Sequence, residues 1–369
     1  MLTSSLGVIL SLLAAVCGLI VVFVLMVVWF KIHRDRLEEL SRRRQSALMA
    51  AWEAKDRSAA LELLQRAAHG HTHEIADVAA ALKRASAESW FNAETSQAVA
   101  LYARDSGLLD RLERDLTSRF ASRRGLSVLL GGYPATPLSA NQLATFTRDP
   151  DPTVRLAAVA SLSRQATPAA AHALIECLDE GTLPSARVIE RLGYPWAVPT
   201  IVEALITDAV KRGTRPALLQ ALAMTGDPAG IEIALRVEVH EPPEERIQAM
   251  RILEHGIARA TADQRALIAG TAIAMADDPL PNVRSLAMTV LASVDHPDRL
   301  HQLYRGAQDP DWFTRRAAAR SLAACGPEGI SLLHQIADGV DPFAAQRARE
   351  ELAVAGAPHP PSDQHGGHS

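Results

Sequence analysis

The segment DPDPTVRLAAVASL, which runs from Asp149 to Leu162, decides the fold because similar segments recur further along the chain. They are DPLPNVRSLAMTVL from Asp278, DPDWFTRRAAARSL from Asp309 and DPFAAQRAREELAV from Asp341. Each begins with Asp-Pro, has an arginine six positions after the aspartate, and places an apolar residue seven positions after that arginine. Similarity at a fixed period of about 20–50 residues is the signature of a repeat protein.

The arginine of this pattern recurs along most of the chain. Its positions are Arg123, Arg155, Arg187, Arg215, Arg246, Arg284, Arg315 and Arg347. Successive positions are 28 to 38 residues apart, and five of the seven intervals are 31 or 32 residues. The regular spacing predicts one structural unit of about 31 residues, repeated from about residue 121 to residue 356.

Each unit contains a second amphipathic stretch. Ala171, Leu174, Ile175 and Leu178 fall at i, i+3, i+4 and i+7, which is one face of an α-helix. The Asp-Pro pairs suit the start of the following helix, because aspartate can cap the first N–H groups and proline costs little there. Aromatic residues make up only 4% of the chain, so its 48% hydrophobic content consists mainly of Ala, Leu, Val and Ile, as in tightly packed helices. An all-α solenoid of helical hairpins is therefore predicted.

The pattern DPxxxVRxxAxxxL resembles the bacterial HEAT repeats, a group that includes the HEAT-like or bilin-lyase-type repeats. The resemblance covers roughly residues 120–355 and implies a ladder of aspartate and arginine side chains between adjacent repeats. The middle repeats depart from it, since Gly181, Ala209 and His240 stand where the aspartate is expected. The residues to which the resemblance assigns a ladder role are Asp149, Arg155, Asp278, Arg284, Asp309, Arg315, Asp341 and Arg347.

The N-terminal segment has a different character. Residues 6–30 form a run of 25 residues without a charge, long enough for a helix to cross a bilayer. Six Lys or Arg residues follow between Lys31 and Arg44, and none precedes the run. The positive-inside rule then predicts a single-pass inner-membrane protein with residues 1–5 outside and the C-terminal part in the cytoplasm. A cleaved signal peptide is disfavoured, because the run is too long and has no basic residue before it.

The remaining segments have no repeat signature. Residues 31–120 contain helical patterns that suit either divergent terminal repeats or a helical stalk. Residues 357–369 are rich in Pro, Gly and His, and we expect a disordered tail. The Ala- and Arg-rich composition suggests a bacterial source.

Few residues suggest chemistry. His69, His71 and His73 are close in sequence but lack the spacing of a metal site and are interpreted as a polar loop. The nucleophile, phosphate-loop and dinucleotide motifs are missing from the sequence. Cys177 and Cys325 lie at apolar helical positions. We therefore expect no catalytic residue, no metal and no cofactor.

Exposed aromatic side chains are the candidate partner-binding residues. Trp312 and Phe313 are adjacent and cannot both face one core, and Tyr194 and Trp196 pose the same question. The alternative is that these residues fill irregular joints between repeats. Trp is enriched at the centre of protein interfaces, which makes the four positions candidates, although the filling of joints is the more favoured of the two interpretations.

A non-catalytic scaffold that binds protein partners, with no small-molecule substrate, is the predicted function. The partners would belong to a membrane or envelope complex, met on the cytoplasmic face. The family resemblance also implies two alternatives. One is a bilin-lyase-like enzyme or chaperone acting on a tetrapyrrole or chromoprotein, which the scarcity of aromatic residues disfavours. The other is nucleic-acid binding, which the formal net charge of −4 disfavours.

Overall fold

The computed structural model describes residues 2–356, with side chains from residue 23 onward. The described residues form α-helices, three short 3-10 helices and connecting turns. They divide into two compact units, residues 1–164 and 165–369. The predicted all-α class is confirmed. The predicted disordered tail, residues 357–369, lies outside the described residues, and the proposed division at residue 120 stays a prediction.

The predicted membrane anchor requires a correction. Among the residues that the structure describes, no helix is both long and apolar enough to cross a bilayer. This finding contradicts the transmembrane helix predicted over residues 6–30, the outside location of residues 1–5 and the single-pass inner-membrane topology. Residues 6–22 lie outside the part of the chain whose side chains are described.

Unit 1 is built around one long helix and the shorter helices that follow it. Its core contains Trp52, Leu64, Ile75 and Leu82, each almost fully buried. The long helix packs against the second and third helices. The helices are α1 Leu2–Glu53, α2 Arg57–His69, α3 Thr72–Ala85, α4 Ala93–Asp105, α5 Leu108–Leu116, α6 Ala121–Leu130, α7 Ala140–Thr145 and α8 Pro152–Gln165.

Unit 2 is a series of helical hairpins. The helices after α8 are α9 Pro168–Glu180, α10 Ser185–Leu192, α11 Val198–Ile206, α12 Arg215–Thr225, α13 Ala229–Ala234, α14 Pro243–Gly256, α15 Ala262–Met275, α16 Pro281–Leu291, α17 Arg299–Gly306, α18 Trp312–Ala324, α19 Pro327–Ala337 and α20 Pro342–Val354. The 3-10 helices of the two units are Phe146–Arg148, Pro195–Ala197 and Ile257–Arg259.

The hairpins of unit 2 stack in two layers. The even-numbered helices α10, α12, α14, α16, α18 and α20 each contact the next one, and the odd-numbered helix of each hairpin packs against its even-numbered partner. Ala249, Ala287 and Ala318 are buried in the even-numbered layer, where a small side chain allows the helices to approach closely. Gly306 serves the same purpose at the end of α17, because a Cβ there would overlap Met288. The predicted two-helix repeat is confirmed in this unit.

Candidate functional site

The recurring arginine joins one repeat to the next. Arg284 donates from Nε to Asp309 Oδ2 at 2.7 Å and from Nη2 to Asp309 Oδ1 at 2.8 Å. Arg246 makes the same two-bond contact with Asp278, at 2.7 and 3.0 Å. This fork geometry is the strongest arrangement of guanidinium and carboxylate groups. In each pair the arginine belongs to one repeat and the aspartate to the following repeat.

The same arginine also closes the loop of its own repeat. Nη1 of Arg284 donates to the carbonyl oxygens of Asp278 and Pro279, at 2.9 and 3.2 Å. Arg315 bonds in the same way to the carbonyl oxygens of Asp309 and Pro310. The aspartate and arginine of one Asp-Pro segment therefore meet through the aspartate's backbone, and the carboxylate is left for the arginine of the preceding repeat.

Four of the predicted ladder residues lack the pairing between repeats: Arg155, Arg315, Asp341 and Arg347. Arg315 forms no ion pair with Asp341, whose side chain instead accepts the N–H groups of Phe343 and Ala344 at the start of α20. Arg347 pairs within its own helix, with Glu350 at 2.8 Å and more distantly with the next residue, Glu351.

Unit 1 contributes a pair that the sequence pattern placed one residue away. Arg124, and not Arg123, makes two bonds of 2.8 Å to Asp149. Its Nη1 donates to the carbonyl oxygen of Ser118, six positions earlier, which is the offset also found at Arg284 and Arg315. Arg155 bonds to the carbonyl oxygens of Asp149 and its neighbour. Hydrogen bonding from Arg124 holds the pKa of Asp149 below its ordinary value, an effect that outweighs the opposing effect of burial.

Glu245 is a second residue that sequence reasoning missed. The Glu244-Glu245 pair suits a solvated helix end, yet Glu245 is buried. Its Oε2 lies 3.3 Å from Nε of Arg215, in the preceding repeat. His240 stands at the aspartate position of this repeat, so Glu245 supplies the acid from the first turn of α14. The sequence did contain a signal. Glu245 stands next to the recurring arginine Arg246, in a repeat where His240 replaces the usual aspartate.

Three aromatic side chains of the last two hairpins are exposed and lie close together. Trp312, Phe313 and Phe343 are 44%, 61% and 68% exposed. Asp311 caps α18 by accepting the N–H of Thr314, which places the first two aromatic residues in the opening turn of the helix. The two rings meet edge to face, with centroids 4.9 Å apart.

Arginine side chains lie against the rings of Trp312 and Phe343. The guanidinium carbons of Arg316 and Arg347 each lie 5.4 Å from the ring centroid of Trp312. That of Arg315 lies 5.7 Å from the ring centroid of Phe343. These distances are within the range of cation–π contacts. We call this set the aromatic–arginine surface; its members are Trp312, Phe313, Arg315, Arg316, Phe343 and Arg347.

The other two candidate residues lie elsewhere in unit 2. Tyr194 is exposed and precedes the 3-10 helix Pro195–Ala197, in which Trp196 is partly buried. That helix leads into α11, in the odd-numbered layer, whereas Trp312 begins α18 in the even-numbered layer. The structure does not bring the two pairs together, and the partner-binding role of all four residues stays a prediction.

The histidine cluster is a helix end. His69 Nδ1 lies 3.0 Å from the carbonyl oxygen of Gln65, and the rings of His71 and His73 stack at 5.5 Å. Arg111 donates to three carbonyl groups at this end of α2, including that of Gly70 at 2.6 Å. No group of three or more His, Cys, Asp or Glu residues is arranged to hold a metal ion within the described part of the chain.

The two cysteines whose side chains the structure describes, Cys177 and Cys325, are at least partly buried. Cys177 is buried, and its Sγ lies 3.1 Å from Thr182 Oγ1. Cys325 is partly buried at the end of α18, and this burial raises the pKa of its thiol. A raised thiol pKa lowers the thiolate fraction and with it the nucleophilicity of the sulfur.

The fold and the ion pairs define a class: a protein of stacked helical hairpins joined by charged rungs. Residues 268–353 match the family of HEAT repeats, and residues 154–180 match the PBS lyase HEAT-like repeat. The two matches support a HEAT-like repeat family, as the sequence pattern indicated. They carry no information on the predicted bacterial source. No curated protein matches the chain.

Several solved structures resemble this chain at low similarity. An engineered protein is 16% identical with a TM-score of 0.39, and the alignment covers 86% of this chain and 99% of that chain. Kap121p bound to Ste12p is 14% identical with a TM-score of 0.39, covering 85% of this chain and 45% of that chain. Kap121p bound to the extreme C-terminus of the protein phosphatase Cdc14p is also 14% identical, with a TM-score of 0.39 and coverage of 84% and 46%. This chain thus spans less than half of Kap121p, and likenesses this distant transfer no partner.

Proposed function

We propose that this chain is a non-catalytic protein-binding module and that its aromatic–arginine surface is a site of partner contact. The observation that carries the proposal is the clustering of Trp312, Phe313 and Phe343 on adjacent helices, all exposed. Aromatic residues are only 4% of the chain, so three in one exposed cluster are a local concentration. Trp, Phe and Arg are the residue types enriched in the core of protein interfaces.

The arrangement of the side chains supports binding with a small loss of entropy. Trp312 lies against two guanidinium groups and one ring before any partner arrives. Immobilising a free side chain on binding costs about 0.5–1.5 kcal/mol, and a side chain that is already held avoids part of this cost. A pre-ordered tryptophan at the centre of an apolar cluster is the usual form of an interface hot spot.

The chemistry of the surface suits contact rather than catalysis. Its acidic neighbour Glu350 is paired with Arg347 at 2.8 Å, and Arg315 bonds to loop carbonyl groups. The surface therefore offers apolar area and hydrogen-bond donors rather than an acid–base pair poised on a substrate.

Site-specific photocrosslinking in cells of the source organism tests this proposal. p-Benzoylphenylalanine replaces Phe313 or Phe343 in the full chain, and the control position is Leu267, an exposed apolar residue on α15 in the odd-numbered layer. We expect the same adduct protein from positions 313 and 343 and its absence at 267. Trp312→Ala should then reduce the adduct formed at 343. Equal adducts at all three positions, or none at 313 and 343, would refute the proposal.

A further inference from the structure

The exposed face of α18 is basic as well as aromatic. Phe313, Arg316 and Arg320 lie at i, i+3 and i+7, and all three are exposed. This helix carries three arginines and no Asp or Glu between its first residue and its last, Ala324. Residues at this spacing share one side of a helix, so the ring and the two guanidinium groups point the same way.

The two guanidinium groups have no carboxylate partner. Neither Arg316 nor Arg320 forms an ion pair with any residue that the structure describes, and the ring of Trp312 is the contact of Arg316. The exposed positions of the neighbouring α16 are uncharged. On the other side, both acids of α20, Glu350 and Glu351, are already paired with Arg347. The face of α18 therefore has a local excess of positive charge in a chain whose formal net charge is −4.

We infer that the partner segment received by this surface is an acidic, extended stretch of a protein that also carries an apolar side chain. The inference rests on the proposed function and adds the chemistry of the partner. Charge complementarity is its basis, since two unpaired guanidinium groups beside exposed rings match carboxylates beside an apolar group. Arginine binds carboxylate through two parallel bonds, which also fixes the orientation of the segment.

The spacing of the α18 residues indicates the pattern of the segment. Arg316 and Arg320 are four residues apart, a rise of about 6 Å along the helix. Alternate residues of an extended chain are about 6.7 Å apart and point to the same side. Two acids separated by one residue would therefore meet the two arginines. An apolar residue two positions before or after the acids would then meet Phe313, whose Cα lies about 4.5 Å along the helix axis from that of Arg316.

Selection from a display library of random linear peptides on the full-length protein tests the inference. We expect enrichment of peptides with an acid-x-acid pattern flanked by an apolar residue. The best peptide, labelled with fluorescein, is then titrated by fluorescence anisotropy against the native protein and its variants. The double variant Arg316→Glu, Arg320→Glu should bind at least about tenfold more weakly, because two charge-assisted bonds become repulsions. The matched control is Arg251→Glu, an exposed arginine on α14 in the same layer, which should bind like the native protein.

The outcomes separate this inference from the proposed function. Neutral or basic peptides that bind and are lost with Phe313→Ala would overturn the acidic partner and leave the protein-binding surface intact. Failure to enrich any peptide sensitive to Phe313→Ala or to the charge reversal would refute both. A single-stranded oligonucleotide probe that binds more tightly than every selected peptide, and depends on the same arginines, would assign the surface to nucleic acid and overturn the inference. Thermal melting by circular dichroism checks folding, and exposed substitutions should leave it nearly unchanged.

Discussion

Removing the carboxylate of Asp278 should destabilise the protein far more than removing that of its neighbour Asp277. Asp278 pairs with Arg246 through bonds of 2.7 and 3.0 Å, and the two side chains are 0% and 6% exposed. It also accepts the N–H of Leu280 at 2.8 Å. Truncating one partner of a buried pair leaves the other charge without compensation, which costs about 3–5 kcal/mol. We therefore expect Asp278→Ala to lower the unfolding free energy by that amount.

The neighbouring residue is the matched control. Asp277 pairs with Arg305 at 2.9 Å, a similar distance, but these two side chains are 63% and 51% exposed. An exposed pair contributes about 0–1 kcal/mol, because water screens it and the side chains lose entropy when they pair. Asp277→Ala should therefore cost less than about 1 kcal/mol. Because the two ion pairs have similar N–O distances, the difference in unfolding free energy between the two variants measures the effect of burial.

Urea unfolding of the full chain, followed by far-ultraviolet circular dichroism, is the assay. Repeat proteins can unfold in more than one transition, so the comparison uses the transition that shifts in Asp278→Ala and fits it in all variants. The double variant Arg246→Met, Asp278→Leu should recover much of the loss, because it removes both charges together. Equal losses for Asp277→Ala and Asp278→Ala, or a loss below about 1 kcal/mol for the latter, would refute the reasoning.

Two further predictions concern acid stability and close packing. The pKa of Asp149 lies below its ordinary value of 3.8 in the folded chain because Arg124 donates to it, so its contribution is complete above that value and is lost as the pH falls through the lowered pKa. The difference in urea midpoint between the native chain and Asp149→Asn should therefore be largest near neutral pH and shrink below about pH 4, and a difference independent of pH would contradict this account. Gly306→Ala should cost about 1–3 kcal/mol, because the added methyl group overlaps Met288, which is buried. Gly270→Ala, within α15, has no atom within 4 Å of the added Cβ and should stabilise the protein by up to about 1 kcal/mol. If Gly306→Ala melted at a higher temperature than Gly270→Ala, the close approach of Gly306 to Met288 would not matter for stability.

The repeat itself was predictable because its physical requirements recur at a fixed interval. Several hairpins have an arginine that closes the loop, as Arg155, Arg284 and Arg315 do. With a small residue where helices approach and an apolar residue further along, this arginine leaves a visible pattern. The error at Arg123 shows its limit. No Asp-Pro precedes that helix, so only the six-residue offset from the Ser118 carbonyl group, or the 31-residue interval to Arg155, identifies Arg124.

Side-chain burial was harder to predict than secondary structure. Glu244 and Glu245 are adjacent acids at the start of α14, yet the second is buried against Arg215, which lies 30 residues earlier. The only local difference is that Glu245 adjoins Arg246, and the contact with Arg215 is made in the packed array. The aromatic surface was predictable in part: Trp312 and Phe313 were identified as candidates, whereas Phe343 belongs to it only because α20 packs beside α18.

The anchor prediction failed for a different reason. It treated residues 6–30 as one apolar unit and took its end from Trp29 and Phe30. In the structure α1 continues through Lys31 and the charged stretch to Glu53. The end of the uncharged run therefore does not coincide with the end of the helix.

Asp309 connects the aromatic–arginine surface mechanically to the repeat before it. Its carbonyl oxygen accepts from Arg315, whose guanidinium group lies against Phe343, and its carboxylate is held by Arg284. A displacement of the Phe343 ring would therefore reach the preceding hairpin through the hydrogen bonds of Asp309. A partner bound at this surface would therefore act on two hairpins, and the ion pair between Arg284 and Asp309 is the contact that joins them.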